Sequence, residues 1–137
     1  MLRNIVVAGL TGVAFTGAAF AQGSCSCAAG TRLNVNSIVT ALGGKTVCAV
    51  LGAESWKEFH TGATAFGGAL IETGRTPAEN VGTWSATGTG ANSIVTYNYG
   101  TGGSFSYEVC SQAALTHFCG VKNVTNATLV SGQGGCP

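Results

Sequence analysis

The chain has 137 residues, six basic and five acidic side chains, and a formal net charge of +1. So few lysines and arginines exclude an electrostatically driven nucleic-acid binder. Aspartate is absent, which excludes Asp-dependent catalytic triads and Asp-rich calcium loops.

The first 21 residues read as a secretory signal peptide. Arg3 gives a basic start, Ile5 to Phe20 is almost wholly apolar, and Ala19-Phe20-Ala21 is a small-x-small cleavage site. Residues 22–137 are then one exported domain, secreted or periplasmic. No apolar run of membrane-spanning length follows Ala21. A lipid anchor at Cys25 is disfavoured, because Gln22 stands where a lipoprotein box carries a bulky apolar residue.

All six cysteines, Cys25, Cys27, Cys48, Cys110, Cys119 and Cys136, follow the signal segment. An even count in an exported chain predicts a disulfide framework, with the pairing left open. Cys25 and Cys27 are too close for each other and should pair elsewhere. Cys136 should staple the C-terminus.

Residues 22–34 read as an irregular arm. Val35, Ile38, Val39 and Leu42 recur at helical spacing, with Asn36 or Ser37 as the cap and Gly43 as the stop. Thr46 to Val50 is a short β-branched strand. Residues 54–60 fit two readings: a helix pairing Glu54 with Glu58, or a strand with Trp56, Glu58 and His60 on one face. Ala69 to Thr73 predicts a strand, and residues 74–80 a loop.

Beyond residue 81 the alternation is plain. Strands are predicted at 81–86, 93–99, 104–110, 115–119 and 127–130, with glycine turns at 87–92 and 100–103. Val95, Tyr97 and Tyr99 share a face, as do Phe105, Tyr107 and Val109. The fold class is therefore all-β with one short N-terminal helix: an antiparallel meander, a sheet sandwich or a small barrel, stapled by disulfides.

Gly44-Lys45-Thr46-Val47-Cys48, Trp56-Lys57-Glu58-Phe59-His60, Val81-Gly82-Thr83-Trp84 and Tyr97-Asn98-Tyr99-Gly100 resemble a group of small exported bacterial proteins. That group has no established activity, so the resemblance implies a secreted single domain and no chemistry. Gly82-Thr83-Trp84 also resembles the Gly-x-Trp start of lipocalin-like barrels, although only 55 residues follow Gly82, too few for eight strands.

Candidate chemistry is thin. His60 with Glu54 or Glu58, completed by His117, would make a metal site, but no His-Glu-x-x-His pattern supports it. Catalytic carboxylates would need two of Glu54, Glu58, Glu72, Glu79 and Glu108 to converge. No Gly-x-Ser-x-Gly elbow occurs, and the glycine loops lack the lysine of a phosphate cradle. Cys25-Ser26-Cys27 would take copper or zinc only if reduced. The sequons at Asn123 and Asn126 mark a surface segment. No cofactor is expected.

The sequence thus favours a non-enzymatic binding module, for a small molecule, a glycan or an exported protein. Its candidate residues are Trp56, Glu58, His60, Trp84 and Tyr97. The alternatives are a self-associating structural or matrix protein and a small hydrolase using His60 and a glutamate.

Overall fold

The computed structural model describes residues 27–28, 30–62 and 66–137. The expected signal peptide and Cys25 lie outside the described residues. Among the described residues one α-helix precedes eight strands: α1 (Val35–Leu42), β1 (Lys45–Leu51), β2 (Glu54–His60), β3 (Gly67–Glu72), β4 (Glu79–Thr87), β5 (Ile94–Asn98), β6 (Ser104–Gln112), β7 (Leu115–Gly120) and β8 (Val124–Ser131). Each strand pairs antiparallel with the next, and β1 pairs with β8, so the sheet closes into a barrel. Of the three architectures open from sequence, the barrel is the one adopted. Closure removes the exposed sheet edges that an open meander would leave.

The segment at 54–60 is a strand, not a helix. It pairs along its whole length with β1, from Leu51 opposite Glu54 to Lys45 opposite His60. Seven residues are short enough to satisfy either period, and the cross-strand partners decide. The sheet also places Val95 opposite Tyr107 and Tyr97 opposite Phe105, which assembles the aromatic face expected from alternation. Gly82 and Trp84 lie in the fourth strand of eight. The strands before residue 81 supply the part of the barrel that a count from Gly82 omits.

The helix starts earlier than expected. Asn34 is its cap, and its side-chain oxygen accepts from the Ser37 backbone N–H at 2.9 Å. Asn36 and Ser37 fall inside the first turn instead. Gly44, just after the helix, holds a left-handed φ of 73° that favours glycine. The helix packs against β1, β4 and β5. β1 and β5 stand across the barrel from each other, so α1 spans one end, with its own Ile38 and Leu42 fully buried.

Two described disulfides fasten the chain's flanks to the wall. Cys27 bonds Cys110 on β6, and Cys48 on β1 bonds Cys136. Cys119 is also disulfide-bonded. The N-terminal arm follows the end of β6 that β5 does not reach: Leu33 N–H donates to Val109 O at 2.8 Å, and Ser111 N–H to Thr31 O at 2.9 Å. Arg32 adds an ion pair to Glu108 at 2.9 Å.

Candidate binding cleft at the open end of the barrel

The interior is graded from one end to the other. At the helix end it is solid. Trp84, Tyr97, Phe118, Val95, Val109 and Leu70 are buried there or in the middle of the barrel, and none is more than 2 % exposed. At the opposite end, between the β1–β2, β5–β6 and β7–β8 turns, the core opens into a cleft of about 230 Å³. Trp56, Tyr99, Phe105 and Tyr107 line it, with Leu51 and Val124 beside them and Glu54 and Lys122 at its mouth. An eight-stranded barrel has room inside for side chains or for one small ligand, and this one is filled at one end and hollow at the other.

Alternation along β2 points Trp56, Glu58 and His60 inward at successive depths. Trp56 sits in the cleft wall, with its ring centroid 5.3 Å from Tyr97 and 5.1 Å from Phe118. Glu58 lies one step deeper and is 8 % exposed. Its Oε2 accepts from the Tyr99 hydroxyl at 2.8 Å. Burial pushes the Glu58 carboxyl above its ordinary value, hydrogen bonds from Trp56 and Tyr99 pull it back in part, and the Glu72 charge adds to the rise. Burial also raises the Tyr99 and Tyr107 phenols, reinforced by Glu58, so both stay neutral.

His60 is deeper still and fully buried. Its Nδ1 lies 3.2 Å from the Glu58 carbonyl oxygen, which can only accept, so Nδ1 carries the proton. Nε2 then accepts from the Tyr97 hydroxyl at 3.0 Å. Burial drives the imidazole pKa down to about 4, against smaller opposing contributions from the Glu58 and Lys45 backbones. The Trp84 ring packs edge-on at 5.3 Å. Gly68 leaves space beside that indole: a methyl group there would run into Thr61 Oγ1 and come within 3.1 Å of Trp84 Nε1.

The five candidate residues therefore share the barrel interior but not one role in it. Trp56 borders the cleft, Glu58 underlies it, and His60, Trp84 and Tyr97 form a packed floor. Three aromatic residues of the cleft are not among the candidates read from sequence: Tyr99, Phe105 and Tyr107. The alternation at 93–99 and 104–110 had already put them on one face. What was missing was which end of that face stays open.

The chemistry imagined for His60 finds no second partner. His117 points outward from β7, where its Nδ1 accepts from the Asn126 backbone N–H at 3.0 Å. Glu72 and Glu79 both pair with Arg75, and Glu108 pairs with Arg32. Among the described residues, the one group with metal-ligand spacing is Cys27, Cys110 and Cys119, and all three sulfurs are in disulfides. No described helix is long and apolar enough to cross a membrane. Comparison with protein-family models, with curated proteins and with solved structures finds no match.

Proposed function

We propose that the chain is an exported, non-enzymatic binding module that takes one small ligand in the open end of its barrel. The observation behind this reading is the asymmetry of the interior. α1 and the His60–Trp84–Tyr97 floor fill one end, while the other presents four aromatic side chains around a cleft of about 230 Å³. Apolar clefts with a few convergent polar groups are the usual form of small-molecule sites. Both ring nitrogens of His60 are occupied by hydrogen bonds, which argues against the hydrolase alternative. Export rests on the signal-peptide pattern, and the disulfides fit an oxidising compartment.

The test is a fragment screen by NMR on the disulfide-bonded protein. Hits should move resonances of Trp56, Tyr99, Phe105 and Tyr107. Trp56→Ala should weaken them at least about tenfold, the scale of losing one buried aromatic contact, with the strand pattern unchanged. Hits that cluster away from this end would defeat the proposal.

A further inference from the structure

Resting on that reading, we propose that the cleft selects a small organic ammonium ion, held by its aromatic wall and by the carboxylate beneath it. The wall supplies ring faces, the negative pole of the aromatic quadrupole, which attract a cation within about 6 Å of a ring centroid. Trp56 and Tyr107 have centroids 6.5 Å apart, and Tyr99 and Phe105 have centroids 6.1 Å apart. Each pair is tilted, at 36° and 58° between the ring planes, so the four rings make an angled wall that suits a rounded trimethylammonium group better than a flat one.

Glu58 gives the wall its sign. Glu72, Glu79 and Glu108 each meet an arginine. Glu58 is more buried than any of them and, among the described residues, has no cationic partner within ion-pair distance. Its Oε2 is held by the Tyr99 hydroxyl, and Tyr99 also lines the cleft. The carboxylate is thus fixed directly behind the wall, desolvated and uncompensated. A buried negative charge without a counter-charge is costly, and a bound cation would relieve it. At the mouth, Glu54 and Lys122 offset each other, so the charge inside sets the preference. An anion would sit above the Glu58 charge with only the exposed Lys122 in its favour. A neutral ligand would leave Glu58 uncompensated.

The probes are choline and its uncharged isostere 3,3-dimethylbutan-1-ol. Each is titrated into the intact disulfide-bonded chain, with ionic strength held constant by sodium chloride, and followed by the NMR shift of the Trp56 indole. Choline should bind about tenfold more tightly than the isostere, the combined scale of cation–ring contact and attraction to the buried carboxylate. Glu58→Gln should reduce that preference to about twofold or less. If that variant does not fold, the Glu58 carboxyl carbon of the parent protein serves instead. It should shift with choline and not with the isostere. Equal binding of the two probes would overturn the ammonium assignment and leave the binding cleft standing. Silence at every cleft resonance with both probes would overturn both.

Discussion

His60 and Glu58 sit two positions apart on one strand and respond to acid in opposite directions. The His60 imidazole is held down at about 4 by burial beside Tyr97 and Trp84. An unfolded histidine takes up its proton near pH 6.5. Between those values the unfolded chain binds a proton that the folded chain refuses. The stability tied to His60 is therefore complete above about pH 6.5 and is lost as the pH falls toward 4, by up to about 3 kcal/mol. Glu58 works against this. Its carboxyl, facing Tyr99, Tyr107, Trp56 and Glu72, is raised above 4.5 by burial. The folded state therefore protonates first, and this group adds stability as the pH falls through its raised pKa toward 4.5. Melting temperatures between pH 7 and 4 should consequently fall more steeply for Glu58→Gln than for the parent. Glu58→Gln should also melt higher at pH 7, because glutamine still accepts from Tyr99 without a desolvated charge. His60→Gln should flatten the acid slope. An unchanged slope in both variants would show that neither group governs acid stability.

At the scale of elements, close approach between strands sets the strictest demands. Gly82 on β4 lies against β5 so closely that a Cβ there would run into the carbonyl oxygen of Asn98. That oxygen is backbone and cannot swing away. Gly82→Ala should cost about 1–3 kcal/mol, the usual penalty for overpacking a close-packed site. Gly62→Ala is the control, since nothing lies within 4 Å of its added methyl group. Urea unfolding should show a clearly lower midpoint for the first variant and an almost unchanged one for the second. The β7–β8 pair has its own device. Its register shifts between Thr116 and Phe118. Asn126 takes a positive φ of 60° opposite that break, and its N–H turns to His117. An extra residue accommodated in this way behaves as a β-bulge.

For the whole molecule, closure and stapling are separate sources of stability. The barrel shuts through the β1–β8 ladder, from Lys45 opposite Ser131 to Cys48 opposite Thr128. The Cys48–Cys136 bond spans 88 positions and ties down the tail beyond that ladder. Gly132 N–H also donates to Gly44 O at 2.8 Å, and the Thr46 hydroxyl to Gly132 O at 2.7 Å. Replacing both cysteines by serine should cost about 2–4 kcal/mol, largely by freeing the unfolded chain. The far-ultraviolet circular dichroism at low temperature should stay that of the parent, because the ladder remains. A β signal lost outright would mean that the bond, rather than the ladder, closes the barrel.

Local pattern alone determined a good deal of this protein. Alternation in Val95-Tyr97-Tyr99 and Phe105-Tyr107-Val109, with glycine turns between the strands, was enough for an antiparallel hairpin and its inward face. Cysteine parity predicted a disulfide framework, and helical spacing from Val35 to Leu42 predicted the helix. Trp56, Glu58 and His60 could be placed on one face only conditionally, since a seven-residue segment satisfies both periods. Tertiary structure decided the rest. Closure depends on β1 meeting β8, a pairing between distant segments that no local period encodes. Whether an inward aromatic fills core or lines a cleft depends on which end of the barrel α1 covers. Tyr97 and Tyr99, two residues apart on the same face, therefore end in different environments, one in the floor and one in the wall of the cleft.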